Sequence, residues 1–200
     1  ATGYSRWIDD QLQQPPSVQL PPVQAAYANL TNPAQMIGSL NTDRQEIWFR
    51  NSLTGPDQLR QHVAFALSEV MVVSQQSTLQ NMPYALADYY DLLARDAFGD
   101  FRKLLEDVTL HPAMGVYLNM LGNQKPDATR NIRPDENYAR EMMQLFTIGM
   151  VELNLDGSVR RNGQGNAIPT YDQQVIEGFA HVYTGWTYAG APSFALAFPT

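Results

Sequence analysis

From Thr42 onward the apolar positions recur at helical rather than strand spacing. Thr42 or Asp43 can cap a helix running through Ile47, Trp48 and Phe49, and Gly55-Pro56 then punctuates the chain. A second helix is predicted from Gln58 to about Ser74. Val63, Leu67, Val70 and Ser74 share one side of it, and Ala64, Phe65, Met71, Val72 and Val73 fill most of the rest. Only Gln58, Gln61, His62 and Glu69 form a polar arc, so this helix is expected to be nearly encircled by protein and central to the core. Pro83 opens the next helix, through Leu86, Tyr89, Leu92 and Leu93 towards Phe98. Asp100 caps a helix striped by Phe101, Leu104, Leu105 and Val108, and Pro112 opens another after His111. Beyond a polar loop holding Lys125, Arg130 and Arg133, Pro134 opens the best-defined helix, with Gly149 as its C-terminal stop. Residues 153–168 read as a hairpin or open loop around Asp156-Gly157, and a final helix is predicted from Tyr171-Asp172 to Trp186.

The first 41 residues break this pattern. Pro15, Pro16, Pro21, Pro22 and Pro33 are interleaved with Gln, Ser and Asn, and each proline disfavours helix in the residue before it. An extended arm is expected, laid over a helical body and anchored by a short helix at Trp7, Ile8 and Leu12. The predicted fold class is therefore mainly α: an irregular multi-helix bundle with an extended Pro/Gln-rich N-terminal arm and few or no strands. The expected organisation is an arm over 1–41, a helical domain over 42–188 and a non-helical end over 189–200. That end is apolar to its last residues, so the chain is expected to continue into a remainder of the fold.

Composition narrows the partners. The 200 residues carry a formal net charge of −7, which argues against nucleic acid or an anionic membrane surface. Only 16% of residues are charged, whereas there are 17 Gln and 12 Asn. Cysteine is absent, which excludes disulfides, zinc–thiolate sites, iron–sulfur clusters and thiol nucleophiles. No apolar run reaches the ~18 residues of a membrane span, and no basic, apolar leader opens the sequence. Together these features point to an extracytoplasmic protein, periplasmic or secreted, with any signal peptide removed.

Chemistry concentrates on the last two helices. On the helix after Pro134, Glu136 and Arg140 are one turn apart and form an ion pair, whereas Glu141 falls between Ile148 and Leu145 on the apolar side. A carboxylate there must be paired, hydrogen-bonded, metal-bound or protonated, so Glu141 is either a structural ion pair or a catalytic or metal-ligating group. Glu177 and His181 are also one turn apart; this spacing suits two metal ligands and equally a solvated pair, the reading it favours. His111, before a proline at a helix junction, reads as a structural cap or as a partner of Glu141. The candidate catalytic set is thus Glu141, Glu136, Arg140 and His111, and the candidate metal set Glu141, Glu177 and His181 with a divalent cation. No phosphate loop, dinucleotide fingerprint, nucleophile elbow or His-Glu-x-x-His pair occurs.

Three segments carry a resemblance: Ala97-Phe98-Gly99-Asp100-Phe101-Arg102, the run from Val108 to Gly115, and Asp135-Glu136-Asn137-Tyr138-Ala139-Arg140-Glu141. With residues 59–68 and Thr184-Gly185-Trp186, they make the chain over about 42–188 resemble the bacterial domain-of-unknown-function family numbered eighteen hundred. The resemblance implies an exported, largely helical protein, often encoded beside another exported protein. The family's pattern usually has a further acidic residue where this chain has Gln144, and usually continues to a His-Asp motif beyond the tryptophan. Two functions stay open. One is a scaffold or assembly partner of another exported protein or of the C-terminal remainder of the same protein. The other is a metal-assisted hydrolase or oxidoreductase using Glu141 with a histidine.

Overall fold

The computed structural model describes residues 3–29, 31–32 and 36–191. Most of the expected non-helical end at 189–200 lies outside the described residues. The protein is mainly α, as expected, and the chain divides into two compact units, Ala1–Tyr117 and Leu118–Thr200. The first holds α1 (Tyr4–Gln13), α2 (Leu20–Ala28), α3 (Met36–Thr54), α4 (Gln58–Val70), a 3₁₀ turn (Thr78–Asn81), α5 (Pro83–Asp96), α6 (Phe101–Leu110) and α7 (Pro112–Tyr117). The second holds α8 (Asn137–Glu141), a π-helical turn (Met142–Phe146) and α9 (Gln173–Val182).

The N-terminal region differs from the extended arm expected of its prolines. It forms two helices, and only residues 15–18 between them are extended. Pro21 and Pro22 sit in the first turn of α2, where a missing N–H breaks no helical bond, so they start the helix rather than prevent it. The extended link lies against the first unit through two buried carboxylates. Asp57 accepts from Ser17 N (2.8 Å) and Ser17 Oγ (2.6 Å), and Asp91 accepts from Gln19 N (2.6 Å) and Leu20 N (2.9 Å). Asp91 thereby satisfies the exposed amides at the start of α2. Helix α3 also begins earlier than Thr42; that residue is mid-helix, its hydroxyl bonded back to the Gly38 carbonyl (3.1 Å). Leu40 and Ile47 on its inner face meet Val23 and Ala87 in the core.

The centre of this unit is α5, not α4. Leu86, Ala87, Tyr89, Leu92, Leu93 and Ala94 are all buried on α5, and Tyr89 donates its hydroxyl to the Met71 carbonyl (2.6 Å). Helix α4 instead buries Arg60, Gln61 and Ser68 beside Ala64, while Phe65 and Val70 stay exposed. The reason is the extended link: its backbone has no helical partners and takes side-chain donors from α4. Gln61 Nε2 donates to Ser17 O (3.0 Å), and Arg60 donates to Gln14 O (3.2 Å) and to Ala94 O (3.0 Å). The β-branched Val72 and Val73 and the turn closed by Ser77 Oγ on Ser74 O (2.6 Å) stop α4 before Ser74.

In the second unit, the loop before α8 is fastened by Asn123, whose side chain donates to Asp135 O (3.2 Å) and Tyr183 O (3.4 Å) and accepts from Asp135 N (2.8 Å). Residues 150–170 fold as three short limbs of a closed ring, an extension of the hairpin expected at Asp156-Gly157. Arg160 N bonds Glu152 O (2.9 Å), Ile168 N bonds Arg160 O (3.1 Å), and Glu152 N returns to Ile168 O (2.9 Å). A second set repeats the pattern two residues on, joining Asn154 to Ser158, Asn162 to Asn166 and Thr170 to Met150. Gly157 and Gly165, at φ +82° and +84°, make the two tight turns.

Candidate functional site

The Pro134 helix begins three residues later than expected and changes form partway. Helix α8 ends at Glu141, and the π turn that follows shifts the phase of every later residue relative to a regular helix. Tyr138, Ala139, Met142, Met143 and Phe146 are the buried residues, while Leu145 and Ile148, expected on the apolar side, are exposed. Gly149, at φ +73°, ends the segment as expected and donates to the Met143 carbonyl (3.0 Å).

Three of the expected residues line one cleft. Glu136, Glu177 and His181, with Pro126 and Arg133, surround a space of about 280 Å³ in the second unit. Glu136 Oε2 accepts from Arg140 Nη2 (2.8 Å), which is the one-turn pair read from the sequence. The same carboxylate accepts from Gln173 Nε2 of α9 (3.1 and 3.0 Å to its two oxygens), so Glu136 ties α8 to α9. Gln173, Glu177 and His181 follow one another by single turns along α9, whose first turn is capped by Asp172 Oδ1 on Val175 N (3.1 Å). Sequence reasoning missed Gln173; its place one turn before Glu177 was the available signal. Lys125 and Arg130 line a neighbouring space of about 410 Å³ with Asn123 and Gly185. There Asp127 takes hydrogen bonds from Thr129 and Arg130, which lower its pKa to about 2.

The other expected residues stand apart. Glu141 does not line the Glu136–Glu177–His181 cleft. It is half-buried, and its Oε2 is shielded from solvent without a hydrogen-bond partner among the described residues. His111 belongs to the first unit, where both ring nitrogens are engaged: Nδ1 accepts from Ala113 N (3.1 Å) and Nε2 donates to Asp88 Oδ2 (3.2 Å). It caps the first turn of α7, and burial lowers its pKa more than Asp88 raises it. Among the described residues, no three His, Asp or Glu side chains form a group able to hold a metal ion. What the cleft offers is a carboxylate and an imidazole on adjacent turns, both exposed, beside a second carboxylate already occupied by Arg140 and Gln173.

Fold and cleft together define a cysteine-free, mainly α protein of two units, with an open carboxylate–histidine cleft in the second. The chain belongs to the family described as Protein of unknown function (DUF1800), whose model matches residues 1–198 and so takes in the N-terminal helices as well. No curated protein and no solved structure matches it. No helix among the described residues is long and apolar enough to cross a membrane.

Proposed function

We propose that the protein works outside the cytoplasm as a scaffold or assembly partner of another exported protein. The observation that carries this reading is the exposed apolar surface of α1. Its one buried residue is an amide, Gln11, which donates to Pro56 O (2.9 Å) and accepts from Leu59 N (3.0 Å). Its apolar residues Tyr4, Trp7 and Ile8 lie on the same side as Gln11, with Leu12 beside them, and all four stay exposed. Helix α9 likewise leaves Val175, Phe179 and Val182 exposed. Apolar surface of this kind marks protein contacts. Photo-crosslinking residues placed at Trp7 and Phe179 in the source cell are expected to capture the same exported protein, and one placed at the fully exposed Leu155 is not. Absence of adducts at both positions would remove the proposal, as would retention of the mature full-length protein in the cytoplasmic fraction.

One observation favours a metal-assisted hydrolase or oxidoreductase instead: the orphaned Oε2 of Glu141, at a junction between α and π helix. Such junctions occur frequently at functional sites. Metal content of the full-length protein against a Glu141→Gln variant separates the two readings. A metal held by the parent and lost from the variant supports the enzyme, and equal content near zero supports the scaffold.

A further inference from the structure

The abundance of amides finds a specific location in the first unit. The early part of α3 and the segment 75–81 flank an open groove of about 480 Å³, within the size range of small-ligand sites. Its polar lining is Asn41, Thr42, Gln45, Gln75, Gln80 and Asn81; among the described residues, no Asp, Glu, Lys, Arg or His lines it. A lining without charged side chains does not favour an ionic ligand through net charge. A primary amide, in contrast, carries both donors and acceptors, the same pairing that a sugar hydroxyl presents.

The amides are held rather than loose. Gln75 Oε1 accepts from Gln45 Nε2 (3.0 Å) and from Arg44 Nη2, which fixes the orientation of the Gln75 amide and leaves its Nε2 donors free among the described residues. Arg44 is itself buried, so this support comes from within the fold. Asn41 is only 8% exposed; its Nδ2 donates to Gln80 O (2.8 Å), while its Oδ1 has no partner among the described residues. An unsatisfied acceptor at that depth costs stability.

We propose that this groove binds a short neutral saccharide. A peptide strand is the less suitable occupant, because strand addition needs a free backbone edge and the groove offers side-chain amides on a helix and a 3₁₀ turn. With no aromatic ring in the described lining, stacking contributes little and affinity is expected at about 0.1–10 mM. This inference stands apart from the scaffold reading, since the groove shares no residue with α1.

The test is a titration of the isotopically labelled full chain with maltotriose, cellotriose and triacetylchitotriose, followed through the side-chain amide resonances. A capped tetra-alanine peptide is the comparison. At least one trisaccharide is expected to shift Gln45, Gln75 and Asn81 saturably. Gln45→Ala and Asn81→Ala, both at exposed positions, are each expected to weaken binding about three- to tenfold with an unchanged unfolding midpoint. Gln174→Ala, exposed on α9, is expected to leave it unaltered. No saturable shift from any of the three sugars at about 20 mM overturns the proposal. So does binding that survives both variants, or a shift of these resonances by the peptide alone.

Discussion

His111 fills in the fold the capping role that was one of its two readings in the sequence. Its Nδ1 accepts a backbone amide, a role that only an unprotonated nitrogen can fill. Because burial depresses its pKa, its contribution to stability is complete above the ordinary histidine value of about 6.5. It is lost as pH falls through the depressed folded value. His111→Ala is expected to cost about 1–2 kcal/mol at pH 7.5 and to flatten the stability profile in that acid window, measured by urea unfolding. His111→Asn, which can still cap, is expected to recover part of the loss. Asp57 acts in the same direction at lower pH. Burial pushes its carboxyl up, but hydrogen bonds from Ser17 and Gln61 outweigh it and hold the pKa below the usual value. Its stabilisation is therefore present above about pH 3.9 and lost as pH falls through the folded value. Asp57→Asn is expected to lower stability at pH 6 and to remove this acid-dependent component, again read from urea curves across pH.

Among the elements, those with punctuation at both ends were legible. Helix α6 starts after Asp100, which accepts from Lys103 N (3.1 Å), and stops at the His111-Pro112 junction; α9 starts after Asp172 as expected but ends at Val182, short of the expected Trp186. In each case a side chain competes locally for backbone amides, so the signal does not depend on tertiary context. The misread elements are those in which distant groups decide. The start of α2 is held by Asp91, 72 and 71 positions on from Gln19 and Leu20, whose amides it receives. The π turn after Glu141 is not visible in apolar spacing, and it turned Leu145 and Ile148 outward. The candidate site was legible in the same measure: the local pairs Glu136–Arg140 and Glu177–His181 were found, while the link from Glu136 across to Gln173 was not. Gly149 permits a direct check of the π segment's stop. Nothing lies within 4 Å of where its Cβ would stand, so Gly149→Ala is expected to cost only the backbone strain of φ +73°, about 1 kcal/mol. Gly163→Ala, equally open and without a positive φ, is expected to cost close to nothing, both measured as shifts in urea midpoint.

For the whole molecule, cohesion rests on apolar burial and on hydrogen bonds from amides and backbone more than on charge pairs. Every ion pair among the described residues has at least one partly exposed partner. Pairs of that kind are each worth well under about 1 kcal/mol and are screened by salt. Raising the salt concentration from about 0.05 to about 0.5 M is expected to move the thermal midpoint by less than about 2 °C. A fall of about 5 °C or more would show that charge pairs matter more than their exposure implies.

The ring at residues 150–170 has a bearing on solubility. Short extended segments with outward leucines, such as those around Leu153 and Leu155, ordinarily invite another chain to pair along their free side. Here each limb is bonded to both of the others, so the three share their backbone donors and acceptors among themselves. The motif thus shields its own backbone much as a closed barrel does, although it is only three limbs around. Its leucines can stay exposed at the tip without offering an edge for a fibril to grow on.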